Sequence, residues 1–278
     1  MMYNWLIAVI YCILITGLSA NVFFVYTELW TNAIYSKNGP LEDLMEFTFS
    51  FYKKVLSEVK EHLVFDFFNS KHTSGRVFLR HDVDIFPENI RNLCEVESEL
   101  GIRSIFFFQP DSPFYNFLSK TISKTIAEIA EQGFQIGLHI DAATLQSTGE
   151  VNEEVHRLFN FYSGFFPLQR IVSFHRPPQR VLNNLIIPGF INTYEDRFFK
   201  NIRYYADSKR NHFYEGLRDS LQRDRETNLQ LVTHPYWWDF DTLNIESLYS
   251  RLLATRRRSL ERALSENVQN YKHYFTRG

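Results

Sequence analysis

Short apolar runs alternate with amphipathic stretches along most of the chain after residue 76. The apolar runs have the length and composition of buried β-strands, and they lie at 77–82, 103–109, 134–140, 170–176, 203–208 and 229–235. Apolar residues recur at helical spacing in the remaining stretches, chiefly at 41–70, 90–100, 122–129, 150–162 and 245–264. Strands that alternate with helices in this way predict an α/β fold with a parallel sheet, open or closed into a barrel.

Glycine and proline support the boundaries of these predicted helices. Pro87 is placed to open the helix that follows the first strand, because proline suits the first turn of a helix. Gly101 and Gly133 each stand directly after a helical stretch, where glycine commonly ends a helix.

The N-terminal segment has a different pattern from the rest of the chain. Residues 5–26 include no charged residue and have about the length that a helix needs to cross a bilayer. Ser19 and Ala20 would suit a signal-peptide cleavage site, although no Lys or Arg precedes the apolar stretch. We therefore predict a hydrophobic segment over 1–30, either a membrane anchor or a signal peptide, with a buried N-terminal helix as the alternative. Membrane association or export is favoured over a cytoplasmic location.

Composition narrows the class of protein. The chain has 278 residues, of which 45% are hydrophobic and 22% charged, with a formal net charge of −2. This balance indicates a globular protein and gives no sign of a nucleic-acid-binding surface. Cys12 and Cys94 cannot build a disulfide framework or a thiolate metal site. The 17% of aromatic residues suits a dense core or a sugar-binding cleft.

Ionisable residues lie where the predicted strands end. They are Asp82, Asp84, His139, His175, Arg176, Asp207 and His234. In a parallel β/α fold the loops that follow the strands converge on one edge, where active sites are built. The sequence therefore predicts that these side chains share one site.

The pair Asp82 and Asp84 points to a metal ion. Residues two apart on a strand face the same way, so the two carboxylates share a pocket and would repel each other. A divalent cation resolves that repulsion and lowers the pKa of a water nearby, with His139 and a further His or Asp completing the ligand set. The alternative is a surface turn in which Asp84 caps the following helix.

Several motifs, taken in order, carry a family resemblance. They are RHDVD (80–84), SIFFF (104–108), GFQIGLHID (133–141), SFHRPP (173–178), YYADS (204–208) and LVTHPYWW (231–238). The series resembles the polysaccharide deacetylase superfamily (NodB homology, carbohydrate esterase family 4), in particular its HDVD-type branch, over about residues 43–240. The resemblance implies a distorted (β/α) barrel, here over 41–278. It also implies metal-dependent removal of acetyl groups, N-acetyl or O-acetyl, from a carbohydrate or polysaccharide precursor.

The resemblance also implies the metal ligands. Asp84 matches the family's metal-binding aspartate, and His139 the first histidine of its His-x-x-x-His motif. Position 143, where the second histidine would stand, is Ala143. Asp141 or His175 would then complete the site, with zinc expected and cobalt or nickel as alternatives.

The remaining roles follow from the same resemblance. Asp82 matches the catalytic base and Arg176 the arginine that orients it. His234 matches the histidine that protonates the leaving amine, and Asp207 the acid that tunes it.

Substrate contacts are expected from the segments beside these motifs. The backbone N–H of Gln179 could serve an oxyanion hole, and either Trp237 or Trp238 could stack on a pyranose ring. His81 points to the other side of its strand and is interpreted as structural.

Other classes of protein fit parts of this pattern. Ala143 motivates a catalytically impaired, deacetylase-like carbohydrate-binding protein as the main alternative. The Asp-x-Asp at 82–84 could hold a metal and diphosphate in a glycosyltransferase, but the downstream histidines would then have no role. A phosphatase fits poorly because Phe86 stands where Thr or Val is expected.

Overall fold

The structure is a computed structural model that describes residues 47–71, 74–241, 244–269 and 271. The predicted segment 1–30 lies outside the described residues. Among the helices that are described, none is both long and apolar enough to cross a membrane.

The described chain is built from parallel strands and the helices that connect them. The strands are β1 (Val64–Phe65), β2 (Arg76–Val83), β3 (Ile105–Phe108), β4 (Gln135–Asp141), β5 (Leu168–His175), β6 (Ile191–Asn192), β7 (Arg203–Ala206) and β8 (Leu229–Thr233). The α-helices are α1 (Phe49–His62), α2 (Ile90–Glu99), α3 (Lys120–Glu131), α4 (Thr148–Tyr162), α5 (Gln179–Leu182), α6 (Phe213–Arg223) and α7 (Ile245–Asn267).

These strands form one parallel sheet in the order β6-β5-β4-β3-β2-β8-β7, with β1 paired to β2. Every strand predicted from an apolar run is present. β1 and β6 were not predicted because two residues are too few to show a period. Pro87 lies in the turn before α2, where its carbonyl accepts a hydrogen bond from the amide of Ile90, so it does not open the helix as expected.

Side chains close the gap between the edge strands β6 and β7. Directly after β6, Thr193 and Tyr194 reach across to the guanidinium of Arg80 in β2. The ring of Phe199 then packs on Tyr204 of β7, with 5.0 Å between ring centroids. The sheet is thus curled around an interior, and the predicted fold class, a distorted (β/α) barrel, is confirmed.

Apolar residues fill the part of this interior toward the N-terminal ends of the strands. They are Phe68, Phe78, Ile105, Phe107, Ile171 and Phe198, all buried. Gly137 on β4 is required by this packing, because a Cβ atom there would lie 2.5 Å from the ring of Phe107. Among the described residues the interior is largely apolar at this level, although the buried Gln230 on β8 donates its side-chain N–H groups to the carbonyls of Thr193 and Phe198.

A buried polar network fixes the outer face of β2. His81 Nε2 lies 2.6 Å from Glu97 on α2, and His81 Nδ1 lies 2.6 Å from the hydroxyl of Thr233 on β8. Tyr52 on α1 donates to the same Glu97 carboxylate at 2.8 Å. These contacts fasten two helices to the central strands, which accords with the structural role predicted for His81.

Candidate metal centre and its surrounding residues

Strand alternation brings together the polar residues at the C-terminal ends of the strands, which form the rim of the barrel. On β2, Arg80 and Asp82 face the barrel interior, and Asp84 follows at the strand's end. On β4 and β5, His139 pairs in register with Ser173, so their side chains lie next to each other on the inner face. The site therefore rests on the regular part of the sheet.

Three potential metal ligands converge in the described part of the chain. Asp84, His139 and His175 each offer one ligand atom, and these atoms all lie within 4.8 Å of one another. Asp84 Oδ1 is 3.0 Å from His139 Nε2 and 3.4 Å from His175 Nδ1. Yet Asp84 Oδ1 is a buried oxygen that accepts no hydrogen bond from the described residues, because neither contact has hydrogen-bond geometry.

This arrangement fits a divalent metal ion. Two atoms bound to one tetrahedral zinc ion at about 2.0–2.1 Å lie roughly 3.3–3.4 Å apart, close to the separations seen here. One carboxylate and two imidazoles also make a donor set that zinc, cobalt and nickel accept. Of the two residues that the sequence offers as a third ligand, His175 lies in this cluster and Asp141 does not.

The electrostatics of Asp84 agree with such a site. Burial would raise the pKa of its carboxyl, but the imidazoles of His139, His175 and His234, when they are protonated, outweigh burial and hold the pKa well below its usual range. The contact with Asp84 in turn raises the pKa of His175, against a smaller opposing effect of burial. Asp84 is therefore ionised, as metal ligation requires.

Metal titration tests this cluster directly. We expect the full-length protein to bind one zinc ion, and His175→Ala to weaken zinc affinity by at least about 10-fold because it removes one of three protein ligands. Competition with a chromophoric chelator measures the affinity. His156→Ala is the matched control, since His156 packs on Phe190 outside the cluster. Equal zinc affinity for His175→Ala and the wild type would exclude His175 as a ligand.

Asp141 and Arg176 pair with each other at the rim. The guanidinium of Arg176 donates to Asp141 Oδ2, and the amide of Ala143 donates to Asp141 Oδ1 at 3.0 Å. Burial would raise the pKa of Asp141, but the contacts with Arg176 and Ala143 lower it. Asp141 thus lies outside the cluster of Asp84, His139 and His175, and the described partner of Arg176 is Asp141, not Asp82. The roles expected for Asp141 and Arg176 from the sequence stay predictions.

The cation beside Asp82 is Arg80. Its Nη2 donates to Asp82 Oδ2 at 3.1 Å and to the Tyr194 hydroxyl at 2.9 Å, and its Nη1 donates to the hydroxyl of Thr193. Both members of this ion pair are almost fully buried, with side-chain exposures of 0% and 4%. Sequence reasoning missed Arg80, although its position two residues before Asp82 places it on the same face of β2.

His234 and Asp207 form a second pair at the rim. His234 Nδ1 lies 2.5 Å from Asp207 Oδ1, and the backbone amide of His234 donates to Asp207 Oδ2 at 2.7 Å. Burial would lower the pKa of His234, but Asp207, with smaller effects of Asp84 and Asp82, raises it to about 9. His234 Nε2 lies 3.7 Å from Asp84 Oδ2, so the imidazole faces the cluster of potential ligands.

Both tryptophans are buried. Trp238 is 0% exposed, and its indole N–H donates to Asp207 Oδ2 at 3.0 Å. Trp237 is 9% exposed and packs against Phe47. Trp238 therefore helps to hold Asp207, and stacking of either tryptophan on a pyranose ring stays a prediction.

Gln179 is the first residue of the short helix α5 and is exposed, and its side chain donates to Asn183 at 2.7 Å.

A cavity of about 530 Å³ lies elsewhere, at the N-terminal ends of β5 and β6, lined by residues that include Arg170 and Phe190. It is not part of the polar rim at the C-terminal ends.

Comparison with known proteins gives little beyond these observations. No protein-family model matches the chain, and no curated protein matches it. A solved structure that it resembles is the chitin deacetylase from the fungal pathogen Colletotrichum lindemuthianum, at 17% sequence identity over 67% of this chain and 83% of that chain, with a TM-score of 0.43. Similarity at this level identifies neither a family nor a reaction.

Proposed function

We propose that this protein is a metal-dependent hydrolase that removes acetyl groups, N-acetyl or O-acetyl, from a carbohydrate or polysaccharide precursor. One observation carries the proposal. Asp84, His139 and His175 converge within 4.8 Å of one another, next to a buried carboxylate, Asp82, and an acid-paired imidazole, His234. The ordered motifs that resemble polysaccharide deacetylases supply the substrate class.

Asp82 is the proposed general base. Its Oδ1 lies 3.9 Å from His139 Nδ1, which places the carboxylate beside the ligand cluster. Arg80 and Ser173 hold the carboxylate in one orientation, so that it can accept a proton from an attacking water.

His234 is the proposed general acid. Asp207 binds Nδ1, which leaves Nε2 directed toward Asp84 and the ligand cluster. From there Nε2 can donate its proton to the nitrogen of an N-acetyl group, or to the oxygen of an O-acetyl group, as the bond to the acyl carbon breaks.

A divalent ion held by Asp84, His139 and His175 would polarise the acyl carbonyl and lower the pKa of water beside it. His175 fills the ligand set that Ala143 leaves incomplete, which supports an active enzyme over the carbohydrate-binding alternative.

Acetate release tests the proposed function. Full-length protein, stripped of metal and reloaded with zinc, cobalt or nickel, is incubated with N-acetylated oligosaccharides and with O-acetylated glycans. We expect acetate from at least one substrate class, loss of activity with chelator, and recovery when metal is restored. Sugar binding by calorimetry, with metal bound and no acetate released, would contradict the enzyme and favour the binding protein.

The pairing of Asp207 with His234 predicts a shift in pH dependence. The Asp207 carboxylate raises the pKa of His234, and a general acid must be protonated, so activity falls as pH rises through that pKa. Asp207→Asn removes the negative charge, the pKa of His234 falls, and the alkaline limb of the kcat/KM profile moves to lower pH. Asp219→Asn, on the exposed face of α6, is the control and should leave the profile in place.

A further inference from the structure

The hydroxyl of Ser173 lies between a metal ligand and the proposed base. Its Oγ is 3.1 Å from His139 Nδ1, and it donates to the Asp82 carboxylate at 3.3 Å from Oδ1 and 3.5 Å from Oδ2. Ser173 is fully buried, and β5 holds it in register with His139 on β4. No motif in the sequence predicts a role for Ser173.

Counting protons fixes the direction of these bonds. A serine hydroxyl carries one hydrogen, and an ionised carboxylate can only accept, so the hydrogen of Ser173 points to Asp82. The oxygen of Ser173 is then an acceptor toward His139, and His139 Nδ1 must carry a hydrogen. In the neutral imidazole that metal ligation requires, this is the one N–H, so Nε2 of His139 carries the lone pair.

That lone pair is where a metal would need it. His139 Nε2 lies 3.0 Å from Asp84 Oδ1, so in the neutral Nδ1–H form two atoms with lone pairs would face each other without a hydrogen between them. A cation bound to both removes the repulsion. Metal-binding histidines commonly have their second nitrogen fixed in this way by a neighbouring acceptor.

We propose that Ser173 is a positioning residue of the metal centre, which selects the Nδ1–H tautomer of His139 and ties that ligand to Asp82. The inference rests on the metal site of the proposed function and deepens it. Without the hydroxyl, His139 Nδ1 would be 3.9 Å from its nearest carboxylate oxygen, Asp82 Oδ1, which is too far for a hydrogen bond. The ring would then be free to adopt the Nε2–H tautomer, which donates to Asp84 and cannot bind a metal through Nε2.

Zinc affinity of position-173 variants tests this role. The full-length protein is stripped of metal, and its dissociation constant for zinc is measured by competition with a chromophoric chelator at fixed pH. We expect Ser173→Ala and Ser173→Cys to bind zinc about 10–100-fold more weakly, the usual effect of losing such a partner. Ser173→Thr keeps the hydroxyl and should bind nearly as the wild type does.

The control separates this role from packing. Ser104 is also a buried serine, but its hydroxyl has no hydrogen-bond partner among the described residues, so Ser104→Ala should leave zinc affinity unchanged. Thermal melts of the metal-free variants check that each is folded. If Ser173→Ala does not fold, the near-isosteric Ser173→Cys carries the test.

The outcomes distinguish this inference from the proposed function. Wild-type zinc affinity in a folded Ser173→Ala or Ser173→Cys variant would overturn the inference and leave the metal site intact. A wild-type protein that binds no zinc, cobalt or nickel would overturn both. Zinc affinity that depends on Ser173, in a protein that releases no acetate from any substrate, would support the inference while the proposed reaction fails.

Discussion

Asp82→Asn is expected to lower kcat for acetate release by about 10²–10⁴, the contribution typical of a general base. Asn has the size of Asp and keeps an oxygen that can accept from Arg80 and Ser173, so the local hydrogen bonds can persist. It cannot take up a proton from water. Zinc content and kcat are measured on the same preparation, so that loss of metal is distinguished from loss of the base.

Asp141→Asn is the matched control for this substitution. Asp141 also lies at the C-terminal end of a strand, but it is paired with Arg176 at the rim. Its replacement should leave kcat close to the wild-type value. A variant Asp82→Asn that kept full turnover with bound metal would show that another group takes the proton.

The second large effect is expected on stability. Arg80→Met should lower the free energy of unfolding by about 3–5 kcal/mol, because it leaves Asp82 as a buried carboxylate without its cation. The substitution also removes the hydrogen bonds from Arg80 to Thr193 and Tyr194, which hold the segment after β6 against β2. Urea unfolding of the metal-free protein measures the change, since bound metal would add its own stabilisation.

A double variant separates charge from packing. Arg80→Met combined with Asp82→Asn removes both buried charges, and most of the lost stability should return. Arg157→Met is the surface control: its pair with Glu154 lies within α4 with 66% of the arginine side chain exposed, and about 0–1 kcal/mol is expected. An Arg80→Met effect no larger than that of Arg157→Met would contradict a coupled, buried ion pair.

The sequence predicts some secondary-structure elements closely and others not at all. The runs that became β2, β4 and β8 were predicted within a few residues, because a buried parallel strand is a nearly continuous apolar run. α6 and the two-residue strands gave no usable signal. Helix α2 begins three residues after Pro87, because the turn that the proline initiates is not yet helical.

The site shows the same division between local and distant information. The positions of Asp84, His139 and His175 at strand ends could be predicted, since each stands directly after or within its own apolar run. The sequence could not show whether His175 or Asp141 joins the cluster, because the two residues are paired in register and both face the interior. They differ in that Asp141 is hydrogen-bonded to Arg176.

The sequence by itself determined the α/β class, the order of the strands along the chain and the edge at which the ionisable residues meet, because these follow from local periodicity. The tertiary structure alone decided which groups are partners: Arg80 with Asp82, Ser173 with His139, and Trp238 with Asp207. Each of these contacts depends on the register of strands or on a distant segment folding back, and periodicity along the chain does not encode the distance between side chains on different strands. The burial of both tryptophans has the same origin, since an aromatic residue reads alike in sequence whether it seals the barrel or faces a sugar.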